Sequence, residues 1–355
     1  MRASFPDHGD DMTNYADVLD SLDVTIEDDL RRLLDEQVDA GAGYHPFIGD
    51  VYRSASEFVL RGGRRLGSCS TLIVYRGYTG LVDKRIVRAC SGVELYRHSI
   101  LVHDDVVDRD SLRRGGKTMH RLLEGQCGAR FGDGSAIFAG NMLYCMAVKA
   151  VLQSGFDDAR TAAALHLIFS DYRDVNESQI LDTWFEYKEP DVEEWNVMAG
   201  KRAASLFRMS MLTGAILADA PKGDLKLLED AARHIGYAFD IQDDIIDTFA
   251  TQEQYGRVPC GDITKRKKPL HIILALQKDR RLASMMDKGS LGEADIEDVL
   301  EIIRGCGALD EAKSISRVHA TEAERLIQMT GMDDESKEFF ASFIRYVAES
   351  LDWYK

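Results

Sequence analysis

Two short stretches of this 355-residue chain place several carboxylates in apolar surroundings: SILVHDDVVD at 99–108 and AFDIQDDIID at 238–247. Each contains Asp-Asp-x-x-Asp, as Asp104, Asp105 and Asp108 and, 139 residues later, as Asp243, Asp244 and Asp247. On a helix, positions i and i+4 share a face, so Asp104 lies over Asp108 and Asp243 over Asp247. Like charges stacked in this way repel unless cations separate them. Carboxylate oxygens, with no His or Cys inside the motif, suit a hard ion. Magnesium takes one or two protein carboxylates and completes its shell with water and substrate phosphates. One such motif arises readily by chance in an acidic chain, as a solvated helix face. A second copy, and apolar flanks such as Ile100, Leu101, Val102, Val106 and Val107, speak against that reading.

Basic residues follow each motif: Arg113 and Arg114 after the first, then Arg257 and Lys265, Arg266, Lys267 and Lys268 after the second. Upstream stands Gly62-Gly63-Arg64-Arg65, where two glycines allow close backbone approach and two guanidiniums follow. Carboxylates, implied magnesium and scattered cations together describe a diphosphate site. The chain contains neither G-x-x-x-x-G-K-S/T nor G-x-G-x-x-G, so a nucleotide-binding loop is not expected. A formal charge of −16 argues against nucleic acid or an anionic membrane as the main partner.

The elements that must position these residues read as helices. Only six prolines occur, none between Pro46 and Pro190, so long unbroken helices can run there. Apolar residues recur at three- and four-residue spacing through 84–103, 135–153, 159–186, 193–217 and 227–249. Breaks fall at Gly62–Gly63, Gly77–Asp83, Arg114–Gly116, Lys188–Asp191, Ala220–Asp224, Tyr255–Asp262 and around Gly289–Gly292. No alternating strand is evident. The expectation is one all-α domain over 14–355, preceded by an acidic tail at 1–13. No signal peptide is seen, and no apolar run approaches the ~18 residues that suggest a membrane span. Six cysteines without a C-x-x-C pair fit a reduced, cytoplasmic protein.

With these segments in order, the chain resembles the trans-isoprenyl diphosphate synthase (polyprenyl synthetase) family from about residue 58 to 275. HDDVVDRDSLRRGGKTMH matches a pattern of D-D-x-x-D, four residues, R-R-G and a later T-x-H. FGDGSAIFAGNMLY, NESQILD and GKRAASLF stand where the family has F-G-x-x-x-A-I-L-A-G, G-Q-x-x-D and K-T-A-x-L. YGRVPCGDITKRKKPLH resembles its G-K-x-x-G-D…K-K-T-L-P loop. The resemblance implies a helical bundle around a deep cavity, usually dimeric, that condenses isopentenyl diphosphate with an allylic diphosphate. It implies Mg2+, three ions shared with the substrate diphosphate. Asp104 and Asp108 would bind metal from one side, Asp243 and Asp247 from the other, with Asp105 and Asp244 as supporting acids. Arg113, Gln179, Lys201, Arg257 and Lys267 would hold the allylic diphosphate, and Arg64, Arg65, Arg97 and Arg114 the isopentenyl diphosphate. Apolar walls would keep water from the allylic cation, which an aromatic face such as Phe239 could stabilise.

The sequence also departs from the family pattern. Gly67 replaces an arginine of G-G-K-R-x-R-P, and Arg97 replaces a histidine seven residues before Asp104, so Arg97 could compensate for Gly67. Arg202 stands for Thr, Asp240 for Gln, Arg257 for Lys and His271 for Pro. The allylic half is therefore better preserved than the condensing half. That keeps two rivals open: a class I terpene cyclase using only the allylic diphosphate, and a modulating subunit of a heteromeric synthase. Product length is read below the first motif. Ser99, small where short-product members carry a bulky aromatic, leaves that level open. Tyr96 lies a turn deeper, and a turn of ~5.4 Å is close to one isoprene unit. If Tyr96 is the floor, a C20 product is expected within a C15–C25 range.

Overall fold

A computed structural model describes residues 12–349 apart from Gly62, Arg64, Gln126, Gly256, Arg257, Asp287, Gly289 and Ser290. The expected ligands Arg64 and Arg257, and most of the expected tail, lie outside the described residues. The helices are α1 (Met12–Tyr44), α2 (Pro46–Leu60), α3 (Leu66–Thr79), α4 (Lys84–Val107), α5 (Met119–Glu124), α6 (Ala129–Leu152), α7 (Asp158–Phe185), α8 (Val192–Leu217) and α9 (Lys222–Phe249). Four short helices follow, α10 (Gln252–Tyr255), α11 (Gly261–Thr264), α12 (Leu270–Lys278) and α13 (Arg281–Met286). The last three are α14 (Glu293–Gly305), α15 (Ala308–Gln328) and α16 (Asp334–Glu349).

The long helices begin where side chains can satisfy their open amides. Asp83 accepts from the amides of Arg85 and Ile86 at the start of α4, and Asp157 caps α7. Asp191 and Glu194 form a capping box on α8, with each side chain accepting from the other residue's amide. α9 follows Pro221, whose preset φ suits a helix entry. α4 packs against α6 and α3, α8 against α7, α9 and α3, and α9 against α15. Leu72, Val93, Phe207, Ile235 and Phe340 lie in the main core; Trp195, Ile245, Ile273 and Ile303 form a second cluster toward α12–α15.

Two details differ from the sequence reading. A two-stranded antiparallel hairpin, β1 (Leu112–Arg113) and β2 (Gly116–Lys117), follows the first motif. Its turn residues Arg114 and Gly115 both have positive φ, 50° and 74°, the demand of the tightest hairpin turns. Strands of two residues leave no alternation to read. Second, α6 is long and apolar enough to cross a membrane by length and composition alone. It packs against α4, and Ala136, Ala139, Leu143 and Ala147 are buried there.

Candidate active site

The first acidic motif occupies the last turn of α4. Arg109, in the left-handed conformation, ends the helix, and the amide of Asp110 returns to the carbonyl of Asp105 at 3.0 Å, as in a Schellman stop. The second motif lies in the last two turns of α9. A helix C-terminus carries partial negative charge, so carboxylates are disfavoured there unless cations compensate. The structure supplies them. Arg113 donates from Nε to Asp105 at 2.6 Å and from Nη2 to Asp104 at 3.2 Å. Gln179 of α7 donates to the other oxygen of Asp104 at 2.8 Å. Lys267 reaches Asp108 at 2.7 Å, and Lys265 reaches Asp110 at 2.6 Å. The segment after the second motif thus closes onto the first.

Asp247 accepts from the amide of Asp262 at 3.0 Å. Asp244 accepts from Arg202, which also binds Asp240 and Asp182. Both motifs line one cavity between α4, α7, α8 and α9, together with Arg97, Arg113, Gln179, Arg202, Phe239 and Lys267. Burial pushes the carboxyls of Asp108, Asp240, Asp247 and Asp262 above the usual range, and that of Asp244 to about 8. Neighbouring carboxylates add to the effect. Along this lining eight aspartates face four cations, an excess of four carboxyls. Among the described residues no three such side chains converge closely enough to hold an ion as they stand. The donor set is all carboxylate with an excess of charge, which fits hard divalent cations that displace the lysine contacts.

The residues expected at a second diphosphate divide. Arg97 lines the cavity. Arg65 and Arg114 instead gather behind α4, around buried Glu94 and His98. Arg65 donates to Glu94 at 3.4 Å and Glu27 at 3.0 Å. Arg114 donates to His98 at 3.2 Å, and it is desolvated enough for its pKa to fall to about 10. Gly63 has a φ of 112°, which side chains rarely adopt, and a Cβ there would also come within 2.5 Å of the Arg114 guanidinium. Gly67 is packed shut: a Cβ would meet Leu206 at 3.0 Å, so the missing arginine leaves no vacancy.

Lys201, expected at the allylic diphosphate, is not brought into the cavity lining. Its ammonium is half-exposed and pairs with Glu177 and, at 3.2 Å, with Asp174. The adjacent Arg202 points inward in its place. Asp182, Arg202, Asp240 and Asp262 were not singled out as site residues from sequence. Asp182 and Asp262 stand inside the quoted segments NESQILD and CGDITK, which was the available signal.

Beside the first motif, an apolar groove runs between α4 and α7, lined by Ile100, Val107, Tyr172, Val175 and Ile180. Its lower end is a tyrosine cluster. Tyr144 and Tyr172 stack with centroids 3.9 Å apart, and Tyr96 meets them at 6.3 and 5.8 Å. Ser99 is buried and donates to the carbonyl of Tyr96 at 2.7 Å. Of the three tyrosines Tyr172 lines the groove, and Tyr96 is buried behind it.

The sequence model of the family described as "Polyprenyl synthetase" matches residues 50–303. A short chain isoprenyl diphosphate synthase of Methanocaldococcus jannaschii is 29% identical over 259 residues, 72% of this chain and 76% of that protein. A geranylgeranyl diphosphate synthase of Methanosarcina mazei is 27% identical over 281 residues, 79% and 84% of the two chains. Among solved structures, a geranylgeranyl pyrophosphate synthase of Corynebacterium glutamicum, complexed with isoprenyl diphosphate and magnesium, superposes with a TM-score of 0.83. It is 23% identical and covers 91% of this chain and 98% of its own. Two aspartate motifs facing one cavity, the helical bundle that holds them and a match over most of the length agree: the chain belongs to the polyprenyl synthetase family.

Proposed function

We propose that this chain is a trans-polyprenyl diphosphate synthase that adds isopentenyl diphosphate to dimethylallyl, geranyl or farnesyl diphosphate, with a C20 product. The observation that carries the reading is the excess of four carboxyls, which divalent ions would draw into the ionised form, on a lining that also holds Arg113, Gln179 and Lys267. A diphosphate adds about three more charges near neutral pH, so three divalent ions bring lining and substrate close to neutrality.

Bound magnesium would be held by Asp104 and Asp108 on one side and Asp243 and Asp247 on the other, and would stabilise the departing diphosphate. Arg113 orients Asp104 and stands at the same wall for the leaving group. Gln179 holds the second oxygen of Asp104. Lys267, now on Asp108, would be freed when that carboxylate holds metal and would turn its charge to the diphosphate. Asp105, buried and bonded to Arg113, and Asp244, bonded to Arg202, act by holding these cations in place. The face of Phe239, edge-on to Phe207, borders the space where the allylic cation forms. Arg97, with no hydrogen-bond or ion-pair partner among the described residues, takes the second diphosphate from inside the cavity. Arg65 and Arg114 support it from behind α4. The isopentenyl double bond then attacks the cation, and the proton lost goes to the released diphosphate.

The packed Gly67 favours the cyclase reading, because one cation of the condensing half is absent; Arg97 restores a charge in the cavity. Large apolar side chains are exposed on α6 and α7, among them Ile137, Phe138, Phe169, Ile180 and Trp184. They support a homodimer across that face, although a heteromer would cover it equally well. All cysteines are unpaired, in keeping with a reducing compartment such as the cytoplasm.

The test is incubation with magnesium, labelled isopentenyl diphosphate and each primer in turn. Label in a longer prenyl diphosphate is the expected result. A hydrocarbon without label would establish a cyclase. Incorporation only after a second synthase chain is added would establish a subunit.

A further inference from the structure

Two of the departures from the family pattern meet in space. Arg202 of α8 donates from Nε to Asp240 of α9 at 3.1 Å, and its other nitrogens reach Asp182 and Asp244, each at 3.3 Å. Asp182 also pairs with Lys267 at 3.4 Å, and Lys267 pairs with Asp108 at 2.7 Å. A continuous chain of ion pairs, Asp108–Lys267–Asp182–Arg202–Asp244, therefore joins the two acidic motifs through one side chain of α7. Asp240 holds Arg202 from the remaining side. Thr and Gln, the family residues at 202 and 240, can make a neutral hydrogen-bonded contact. Arg and Asp make a charged contact, and the two replacements depend on each other unequally: Arg202 without Asp240 keeps Asp182 and Asp244, whereas Asp240 without Arg202 is a buried acid with no cation bonded to it. Meanwhile Lys201, one position earlier on α8, turns out to Glu177 and Asp174.

We propose that Arg202 is the positioning residue of the second acidic motif in this protein: it holds Asp244 and Asp182 from inside the cavity, and Asp240 is its dedicated counter-ion. The inference rests on the synthase reading for the identity of the ligand. Arg202 keeps Asp244 and Asp182 apart and aimed, while Asp108 is held on the other wall by Lys267 and, at 3.7 Å, by Lys265. The paired departures are thus one coordinated change.

The experiment is a double-mutant cycle on the full chain with Arg202→Thr, Asp240→Gln and the double variant. It is read by melting without metal and by calorimetric titration with inorganic pyrophosphate in excess magnesium. Arg202→Thr should lower the metal-free melting temperature by roughly 5 °C or more, because it leaves buried carboxylates uncompensated. It should weaken magnesium-pyrophosphate binding about tenfold or more. The double variant, restoring the neutral pair, should recover most of both losses. A purely structural arginine would move the melting temperature and leave pyrophosphate affinity unchanged; that outcome overturns the proposal, as does a double variant no better than Arg202→Thr. If Arg202→Thr does not fold, Arg202→Lys replaces it. Pyrophosphate binding weakened by about threefold or more then supports the proposal, because one ammonium cannot reproduce the fork that holds three carboxylates, and unchanged affinity overturns it. A parent that binds magnesium-pyrophosphate but never elongates a primer would sink the synthase reading and leave this inference standing.

Discussion

Replacing Tyr172 by alanine should lengthen the product, and the structure says by how much. Tyr96 is eight positions before Asp104 on α4, about 12 Å below it at 1.5 Å per residue. The tyrosine cluster closes the groove at that depth, with Tyr172 on the groove side and Tyr96 almost wholly buried behind it. Removing the Tyr172 ring opens roughly one further helical turn, ~5.4 Å, close to one isoprene unit. It also forfeits the stacking on Tyr144 and part of the burial of a large ring, on the order of 2–4 kcal/mol, which a helical bundle of this size can survive. The assay is elongation of farnesyl diphosphate with labelled isopentenyl diphosphate, followed by dephosphorylation and reversed-phase separation. The parent should stop at C20, and Tyr172→Ala should shift the main product to C25. Tyr96→Ala alone should shift less, because the Tyr144–Tyr172 stack still covers the space it vacates. If Tyr96→Ala lengthens the chain and Tyr172→Ala does not, the floor is Tyr96 alone and the stacking argument is wrong.

Other outcomes follow from the same geometry. Asp104→Asn and Asp243→Asn should each lower kcat by about 100-fold or more, measured at saturating magnesium, since each removes a charge that holds the leaving-group cations. Lys267→Met should cost about as much as either, whereas Lys201→Met, outside the lining, should cost less than about tenfold. Gly67→Arg should not restore a ligand but destabilise the fold by about 3 kcal/mol or more, seen in denaturant melts, because the side chain collides with Leu206 and buries a charge. Burial depresses the imidazoles of His98 and His271 to about 3. Their folded values lie below the unfolded ~6.5, so the stability they contribute is complete above that pH and is lost as pH falls toward 3. Two such groups give a slope of up to about 2.7 kcal/mol per pH unit between 6 and 4. His271→Gln should roughly halve it, and an unchanged slope would mean that these imidazoles do not govern acid unfolding.

The helices could be read in advance because their signals are local. Asp83, Asp157 and Asp191 are side-chain caps one residue before the observed starts, and the proline-free stretch runs through α4, α6 and α7. The acidic motifs were legible for the same reason, since i and i+4 share a face whatever surrounds them. What was hidden depends on contacts between helices. Lys201 and Arg202 are neighbours about 100° apart on α8, and only the packing of α7 and α9 decides which of them enters the cavity. Tyr144 and Tyr172 lie on different helices from Tyr96, so their stack leaves no trace in spacing. Asp182 acquires its place by lying between Lys267 and Arg202, residues far from it in the chain.

The most direct test of the central claim, that two acidic helix ends share divalent ions around one diphosphate, is anomalous diffraction from crystals grown with manganese and a non-hydrolysable allylic diphosphate analogue. Three metal peaks bridging the diphosphate to Asp104 and Asp108 on one wall and Asp243 and Asp247 on the other, with Lys267 drawn off Asp108, are predicted. A diphosphate bound with no metal between the two motifs, or metal only on the outer surface, would contradict the account.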